Sequence, residues 1–189
     1  MISTMKKTIK HLKDAITGEF NAINKYKKYA EVAEQESLPN IARIFRALVE
    51  GENVHLNNHK RALKLNNIDF EPEIEEIQIG TTMENLKESL KGETYEFEDM
   101  YPGFIKNMKS ELNNEDAQVA ELSFEWAKEV EMTHAETLQA AIDQLNSGKD
   151  FSVAKIWVCR VCGNLVIDEK PTDVCPVCKH DVVFYKEVE

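Results

Sequence analysis

Two Glu-x-x-His pairs carry most of the chemistry that this chain could perform. Glu52 precedes His55, and Glu131 precedes His134, each by three residues in sequence with a helical pattern. Residues three apart on an α-helix share one face, so each pair can direct a carboxylate and an imidazole toward one point. Imidazole ligands favour transition metals such as iron or zinc over magnesium and calcium. The pairs therefore predict a buried transition-metal site.

Four predicted helices would hold this site, because apolar residues recur along them at alternating steps of four and three. They span about residues 4–35, 38–66, 81–112 and 114–147. Each carries one glutamate near its middle, inside the apolar stripe that faces the core: Glu19, Glu52, Glu93 and Glu131. A buried carboxylate is costly unless it is paired or binds a metal. Since antiparallel packing would bring the four acids into one layer, we expect them to share a metal site.

The combination of side chains also indicates which kind of metal site this is. A glutamate from each of two helices, with a Glu-x-x-His pair from each of two others, is typical of di-iron and di-manganese carboxylate bundles. Glu96 adds a fifth acid, three residues after Glu93 and on nearly the same face. Without metal, some of these acids would have to be protonated.

The link between the second and third helices, residues 66–80, is acidic and has no helical pattern. Extended, about 14 residues span roughly 46 Å, and a 29-residue helix is about 43 Å long. The link can therefore run the length of the bundle, which favours a ferritin-like crossover over a simple up-and-down topology. We also expect a capping box at Thr81 and Glu84, and a kink at Pro102.

All four cysteines lie near the end of the sequence, in two Cys-x-x-Cys motifs: Cys159, Cys162, Cys175 and Cys178. This pattern supplies four thiolates in a tetrahedral array, which suits zinc or iron, and spacing alone does not choose between them. We prefer a metal site to disulfides because residues 1–14 lack the apolar core of a secretory signal. A reducing, cytoplasmic location is therefore expected.

Length and charge indicate two unequal parts and exclude several classes of function. The chain has 189 residues and a formal net charge of −11, which argues against binding nucleic acid or an anionic membrane surface. No apolar run approaches the ~20 residues of a membrane span. We predict an all-α four-helix bundle over residues 1–147, a linker over 148–155 and a small β-rich metal-knuckle domain over 156–189.

Several short strings identify a family that this chain resembles. They are Glu52-Asn-Val-His55, Gly92-Glu93-Thr-Tyr-Glu96, Met100-Tyr101-Pro102, Trp157-Val-Cys159-Arg-Val-Cys162-Gly163 and Cys175-Pro176-Val-Cys178. Their order is similar to that of the rubrerythrins over essentially the whole chain. The resemblance implies a ferritin-like di-iron four-helix bundle followed by a rubredoxin-like domain with one iron in its four-cysteine site.

The resemblance also implies an activity and a role for each matching residue. It implies a non-haem di-iron peroxidase that reduces hydrogen peroxide to water in the cytoplasm. Glu52 and Glu131 would bridge the two irons, and one iron would exchange His55 for Glu96 with its redox state. Tyr26 and Tyr101 would orient ligand carboxylates through hydrogen bonds. The terminal ligands would be Glu19, Glu93, Glu96, His55 and His134.

Electrons would enter through the cysteine iron from an external NAD(P)H-dependent reductase or a small iron–sulfur carrier. Glu131 lies 17 residues before Gly148, or about 26 Å along a helix. That length would place the cysteines too far from the di-iron site of their own chain for rapid electron transfer. We therefore expect a head-to-tail homodimer, in which one chain's cysteine iron lies beside its partner's di-iron site.

Two other functions remain open from the residues. In the first, the bundle oxidises or stores iron and the cysteines hold a structural zinc. In the second, the chain is a pure interaction module, which would leave five inward acids unexplained. Asn164 and Lys179 depart from the rubredoxin pattern, and Lys179 would place a charge near the thiolates. His59 has no ligand motif, and we expect a structural or exposed role for it.

Overall fold

The computed structural model describes residues 5–189, and a bundle of long helices forms most of it. In chain order the helices are α1 Lys6–Gln35, α2 Pro39–Lys64, α3 Thr82–Tyr95, α4 Tyr101–Met108 and α5 Glu115–Asn146. A π-helical turn, Glu96–Met100, joins α3 and α4 into one rod, and a 3-10 turn, Lys109–Glu111, follows it. α1 packs mainly on α2, and α3 packs mainly on α5. The four predicted helical segments are confirmed, since each begins and ends within a few residues of its predicted position.

Side chains fix several helix ends, including some that are distant in sequence. Thr81 and Glu84 form the predicted capping box at the start of α3. The carboxylate of Asp150 accepts hydrogen bonds from the backbone N–H groups of Asn40 and Ile41, at the start of α2. A negative charge is favourable at a helix N-terminus, where N–H groups lack partners. Asp150 therefore ties the segment after α5 to the start of α2.

The segment between α2 and α3 crosses the bundle alongside α1. The Asn21 amide accepts a hydrogen bond from the Glu75 backbone N–H (2.9 Å), and the Tyr29 hydroxyl donates to the Gln78 carbonyl (3.1 Å). Asn21 and Tyr29 both lie on α1, so these contacts hold the crossover against that helix. The long-crossover topology predicted from the length of this segment is confirmed.

The irregular part of the third rod lies before Pro102 rather than at it. The Tyr101 N–H donates to the Glu96 carbonyl, five residues back, which widens the helix by one residue. Pro102 has no N–H to donate and lies in the first turn of α4, where none is needed. The kink at Pro102 stays a prediction, and the irregular hydrogen bonding lies in the π turn that precedes the proline.

A small antiparallel sheet follows the bundle, with β1 Ile156–Cys159 in the middle, β2 Leu165–Ile167 on one side and β3 Tyr185–Val188 on the other. Trp157 pairs with Val166 and with Glu187. Ile156, Val158 and Phe151 are buried in the same apolar core as residues of α1 and α2. The sheet is thus packed onto the bundle. No helix within residues 5–189 is long and apolar enough to cross a membrane.

Candidate metal centres

The layer of acids predicted in the bundle is present and nearly closed to solvent. Six of the predicted ligands expose 2% or less of their surface: Glu19, Glu52, His55, Glu93, Glu131 and His134. They form two groups in which the ligand atoms lie within 4.8 Å of one another. One contains Glu19 and His55, the other Glu93 and His134, and both contain Glu52 and Glu131. Two ion positions that share two carboxylates is the arrangement of a di-iron carboxylate site.

The shared glutamates lie between the two imidazoles. His55 Nδ1 is 2.8 Å from one Glu52 oxygen and 2.9 Å from a Glu131 oxygen. His134 Nδ1 is 2.8 Å from the other Glu131 oxygen and 3.3 Å from the other Glu52 oxygen. Each bridging carboxylate therefore presents one oxygen to each half of the site.

Unpartnered polar atoms show that this donor set fits metal ions. Among the described residues, six buried ligand atoms have no well-aligned hydrogen-bond partner: Glu19 Oε2, Glu52 Oε1, Glu93 Oε2, Glu131 Oε1 and Oε2, and His134 Nδ1. Some of these atoms lie within 3 Å of another ligand atom yet are poorly aligned with it, as expected where both point at a common ion. Burying so many unpaired groups is expensive, and ions in the two positions would supply the missing partners.

Protonation divides the acids into two kinds when no ion is bound. Burial, the charge of Glu52 and the charge of Glu131 raise the pKa of Glu93 to about 8. Burial and neighbouring acids also raise the pKa values of Glu19 and Glu96 well above the usual range. The bridging acids behave oppositely. Burial opposes ionisation of Glu52 and Glu131, but the two imidazoles hold the pKa values of both below normal.

The histidines complete this charge balance. Burial disfavours the imidazolium form, but Glu131 and Glu52 overcome it and raise the pKa of His55 to about 10. The same two acids raise the pKa of His134 well above normal. The metal-free site therefore approaches neutrality by holding protons on three acids and both histidines. Metal ions must displace those protons, so metal affinity is linked to pH.

Two buried tyrosines form hydrogen bonds to the two acids that are not shared, one tyrosine in each half of the site. The Tyr26 hydroxyl donates to Glu93, and the Tyr101 hydroxyl donates to Glu19. Burial and the adjacent acids raise the pKa values of both tyrosines well above normal, so they remain neutral donors. The structure thus places both predicted tyrosines in contact with predicted ligands.

Glu96 lies beside the cluster rather than inside it. It is half-buried, it belongs to neither group of closely spaced ligand atoms, and it is the first residue of the π turn. Burial, followed by the charges of Glu131 and Glu93, raises its pKa well above the usual range of a glutamate. Its assignment as a seventh ligand stays a prediction. The π turn is a backbone irregularity of the kind often found at functional sites.

The four cysteines converge at the other centre and form no disulfide. Cys159 and Cys178 Sγ are 3.7 Å apart, and Cys162 and Cys175 Sγ are 3.6 Å apart. A tetrahedron with metal–sulfur bonds of about 2.3 Å has edges of about 3.8 Å, so these separations fit one ion. Lys179 adopts the left-handed backbone, with φ of 61°, a conformation that glycine adopts more readily than lysine.

The two centres lie close together within one chain. His55 Nε2 is 2.9 Å from the backbone carbonyl oxygen of Cys162, and the Asn58 amide donates to the Val161 carbonyl (2.9 Å). The predicted separation was therefore wrong. The segment after α5 is tied to α2 by Asp150, and β1 then runs back along the bundle toward His55. The head-to-tail homodimer stays a prediction, which these contacts do not require.

Two glycines make this approach possible, and the sequence analysis missed both. A Cβ atom on Gly51 would lie 2.9 Å from the His134 ring and 3.2 Å from the Gly163 carbonyl oxygen. A Cβ atom on Gly163, whose φ is 91°, would lie 2.7 Å from His55 Nε2. Gly51 precedes Glu52 inside a helix, where glycine is unfavourable, and that signal could have drawn attention to it.

Of the two roles expected for His59, structural or exposed, the structure confirms the first. The side chain is fully buried and bonds to Ser123 and Tyr101, so its role is structural rather than exposed. Ser123 lies on a different helix, and no spacing in the sequence connects it with His59.

Comparisons with known proteins agree with this architecture. The family model described as Rubrerythrin matches residues 10–142, and the model described as Rubrerythrin, rubredoxin-like domain matches residues 157–184. Rubrerythrin-2 of Clostridium acetobutylicum is 33% identical over 173 residues, which cover 90% of this chain and 91% of that protein. Rubrerythrin of Porphyromonas gingivalis is 30% identical over 185 residues, covering 97% and 90%.

Solved structures show the same fold. A mixed-valence state of nigerythrin is 29% identical, with a TM-score of 0.84, and the match covers 95% of this chain and 86% of that chain. A bacterioferritin of Rhodobacter capsulatus shares the bundle fold alone, with a TM-score of 0.65 at 21% identity over 75% of this chain and 87% of that chain. The chain therefore belongs to the rubrerythrin family, with a di-iron carboxylate site in a ferritin-like bundle and a rubredoxin-like four-cysteine site after it.

Proposed function

We propose that this protein is a peroxidase that reduces hydrogen peroxide to water, with electrons delivered through its cysteine site. Reduction of one peroxide consumes two electrons and two protons and yields two water molecules. Iron in the two sites supplies the electron transfer and the peroxide binding that amino-acid side chains do not provide. The role of this chain's residues is to hold those irons, connect them and deliver protons.

The observation that carries the proposal is the position of His55 between the two sites. Its Nδ1 faces the bridging acids Glu52 and Glu131, and its Nε2 is 2.9 Å from the Cys162 carbonyl oxygen. A structural zinc knuckle would need no such contact with a di-iron ligand. A carrier that feeds electrons into the bundle would, since one side chain then joins both centres.

The ligand assignment follows the two groups of donor atoms. Glu52 and Glu131 belong to both groups and would be shared by the two ions. Glu19 and His55 complete one position, and Glu93 and His134 complete the other, while the cysteine ion is held by Cys159, Cys162, Cys175 and Cys178. Glu96 is proposed as the ligand that joins in one oxidation state and leaves in the other. Glu96 begins the π turn, a backbone irregularity that is often found at functional sites.

Proton delivery is assigned to Glu96, an acid whose raised pKa keeps it protonated. The raised pKa of Glu96 keeps a proton on a half-buried carboxyl at the edge of the site. Such a group can pass a proton inward and regain one from solvent. Tyr26 and Tyr101 hold Glu93 and Glu19 in place through hydrogen bonds and keep their own protons.

The partners and the compartment are proposed on chemical grounds. The cysteine site needs an outside reductant, and an NAD(P)H-dependent reductase or a small iron–sulfur carrier can supply single electrons. Four thiolates that bind metal require a reducing compartment, for which we propose the cytoplasm. We also propose that the protein is a homodimer, whose state light scattering would measure. The contacts described here complete both centres within one chain.

The test measures what happens to peroxide. Iron-loaded protein is supplied with a limiting amount of a chemical reductant and excess hydrogen peroxide, while peroxide and dissolved oxygen are followed together. A peroxidase consumes one peroxide for every two electrons and releases no oxygen. Oxygen release would indicate peroxide dismutation instead. If peroxide persists and the reductant remains unspent, the protein is not a peroxidase, and an iron-oxidising or iron-storing bundle with a structural knuckle becomes the better assignment.

A further inference from the structure

His59 lies one helical turn beyond His55, and none of the roles described above uses it. Its Nδ1 is 3.0 Å from Ser123 Oγ on α5, and its Nε2 is 3.0 Å from the Tyr101 hydroxyl on α4. Tyr101 in turn bonds to Glu19 on α1. One buried line of hydrogen bonds therefore runs from Ser123 through His59 and Tyr101 to a carboxylate of the metal cluster.

The protons along this line are restricted by simple counting. Tyr101 has one hydroxyl proton, and donating it to Glu19 leaves the phenolic oxygen free only to accept. His59 must then donate from Nε2, so its Nδ1 must accept a proton from Ser123. If His59 carried its proton on Nδ1, its Nε2 would attract the Tyr101 proton away from Glu19.

We propose that His59, set by Ser123, is a positioning residue that directs the Tyr101 hydroxyl at Glu19 and so fixes Glu19 for one of the two ions. The Tyr101 bond occupies Oε1 of Glu19. Glu19 Oε2 is buried and has no hydrogen-bond partner within residues 5–189, so this oxygen is free to bind an ion. His59 acts through Tyr101 and is not itself a ligand.

The other half of the site lacks this support. Within the part of the chain that the structure describes, the Tyr26 hydroxyl bonds to Glu93 alone, with no imidazole behind it. The two ion positions are thus alike in their ligands and unlike in what holds those ligands. The position held by Glu19 and His55 is the one that His59 should affect.

The test measures Fe(II) binding to the full chain rather than activity. The cysteine site is filled with iron of natural abundance and reduced, and the bundle is then titrated anaerobically with iron-57. Mössbauer spectra then report mainly the added ions and resolve the two positions. His59→Leu should weaken the ion held by Glu19 about tenfold, as is typical for groups behind a metal ligand, and leave the ion held by Glu93 unchanged.

Leucine is a suitable replacement because it leaves no buried hydrogen-bond donor without an acceptor. Tyr101 can still donate to Glu19, and the Ser123 hydroxyl, no longer donating to His59, can turn its proton to the Ala120 carbonyl oxygen, 2.8 Å away. His59→Gln should restore part of the affinity, because its amide N–H can donate to Tyr101. Ser123→Ala is the milder variant and should weaken the same ion by about two- to tenfold, the worth of one hydrogen bond.

Paired backgrounds separate positioning from packing. In Tyr101→Phe protein, His59→Leu should have no further effect on affinity, because its route to Glu19 is gone. In Tyr26→Phe protein, the matched control, the tenfold loss should remain. An equal loss at both ions, or the same loss in the Tyr101→Phe background, would overturn the proposal. If His59→Leu does not fold, Ser123→Ala carries the same comparison.

Discussion

The two metal centres of this protein are built in opposite ways. The cysteine site takes its four ligands from 20 residues, Cys159 to Cys178, on two adjacent turns of a small sheet. The carboxylate site takes ligands from four helical segments, from Glu19 to His134. A local site can be arranged by the turns that carry it. A site assembled across a bundle depends on every helix, and it concentrates charges that repel one another.

The two sites differ in the free energy that each costs the folded protein when no metal is bound. Buried acids in the bundle hold protons at pH values where an exposed glutamate is ionised, and several of their oxygens lack well-aligned partners among the described residues. The bundle is therefore stable only because the remainder of its core offsets that cost. Bound metal should therefore stabilise the bundle by neutralising its buried acids, and the small sheet by joining its four cysteines through one ion.

The largest expected effect separates the two sites completely. Glu131→Ala removes an acid that both ion positions share, so Fe(II) affinity in the bundle should fall by more than about 100-fold, since even indirect partners contribute ten- to 100-fold. The four-cysteine site should still bind iron and show its red Fe(III)–thiolate absorption. Metal analysis with visible spectra checks both. Loss of the red colour as well would show that the two sites fold as one unit.

A smaller effect is expected where the two sites meet. Gly51→Ala should push apart the His134 ring and the Gly163 carbonyl, because its Cβ atom would lie 2.9 and 3.2 Å from them. Electron transfer between the iron-loaded centres should slow on the order of ten- to hundredfold, as for other small misplacements of reacting groups. Stopped-flow absorption at the red band measures the rate.

Gly92→Ala is the matched control for this change. It is the same substitution inside a helix, and no atom lies within 4 Å of the added Cβ atom. Its electron-transfer rate should match that of the unmodified protein. Equal rates in both variants would mean that the contact between Gly51 and Gly163 does not set the distance between the centres.

The pH dependence of stability should be confined to the metal-free bundle. Glu93 titrates near 4.5 when unfolded and near 8 when folded. Between those values the folded state binds more protons than the unfolded state, so stability falls as pH rises. His55, with a folded pKa of about 10, acts in the same direction above its ordinary value of 6.5. The lowered pKa values of Glu52 and Glu131 contribute stability that is lost only as pH falls below about 4.5.

Urea unfolding of the metal-free protein at pH 6 and pH 8 measures this slope. Stability should be lower at pH 8, and Fe(II) should remove the difference by displacing the protons. Glu93→Gln, which cannot ionise, should flatten the slope of the metal-free protein. Metal-free protein that is more stable at pH 8 than at pH 6 would contradict the protonation scheme.

The smallest expected effect is that mixing two inactive variants restores no peroxidase activity. Protein in which Cys162 and Cys175 are replaced by serine is mixed with Glu131→Ala protein, and peroxidase activity is compared with the sum of the separate samples. Contacts within one chain predict no gain. A clear gain would show that cysteine domains are exchanged between subunits, as the head-to-tail homodimer requires.

The sequence predicted those features that depend on local pattern. Apolar spacing placed the helices, and the same spacing placed Glu19, Glu52, Glu93 and Glu131 inside the core. The capping box at Thr81 and the cysteine cluster also follow from a few adjacent residues. Each of these has a fixed spacing that one helix or one turn imposes, so it can be read without knowing how the elements pack.

Features that depend on how elements meet were missed or wrong. The position of the cysteine site beside its own bundle depends on Asp150 at the start of α2 and on the close approach of Gly51 and Gly163. The bonds of His59 depend on its facing Ser123 and Tyr101 across the core. Partners on different elements have no fixed spacing in the sequence, and only packing brings them together.

The most direct test of the account asks whether the two centres act together on peroxide. Iron-loaded protein is reduced anaerobically until the red Fe(III)–thiolate absorption disappears, and one equivalent of hydrogen peroxide is then mixed in rapidly. We expect peroxide to be consumed and the red absorption to return, more slowly in Glu96→Ala protein that still has both sites filled. Protein that stays bleached while peroxide persists would contradict the account and indicate an iron-handling bundle with a structural knuckle.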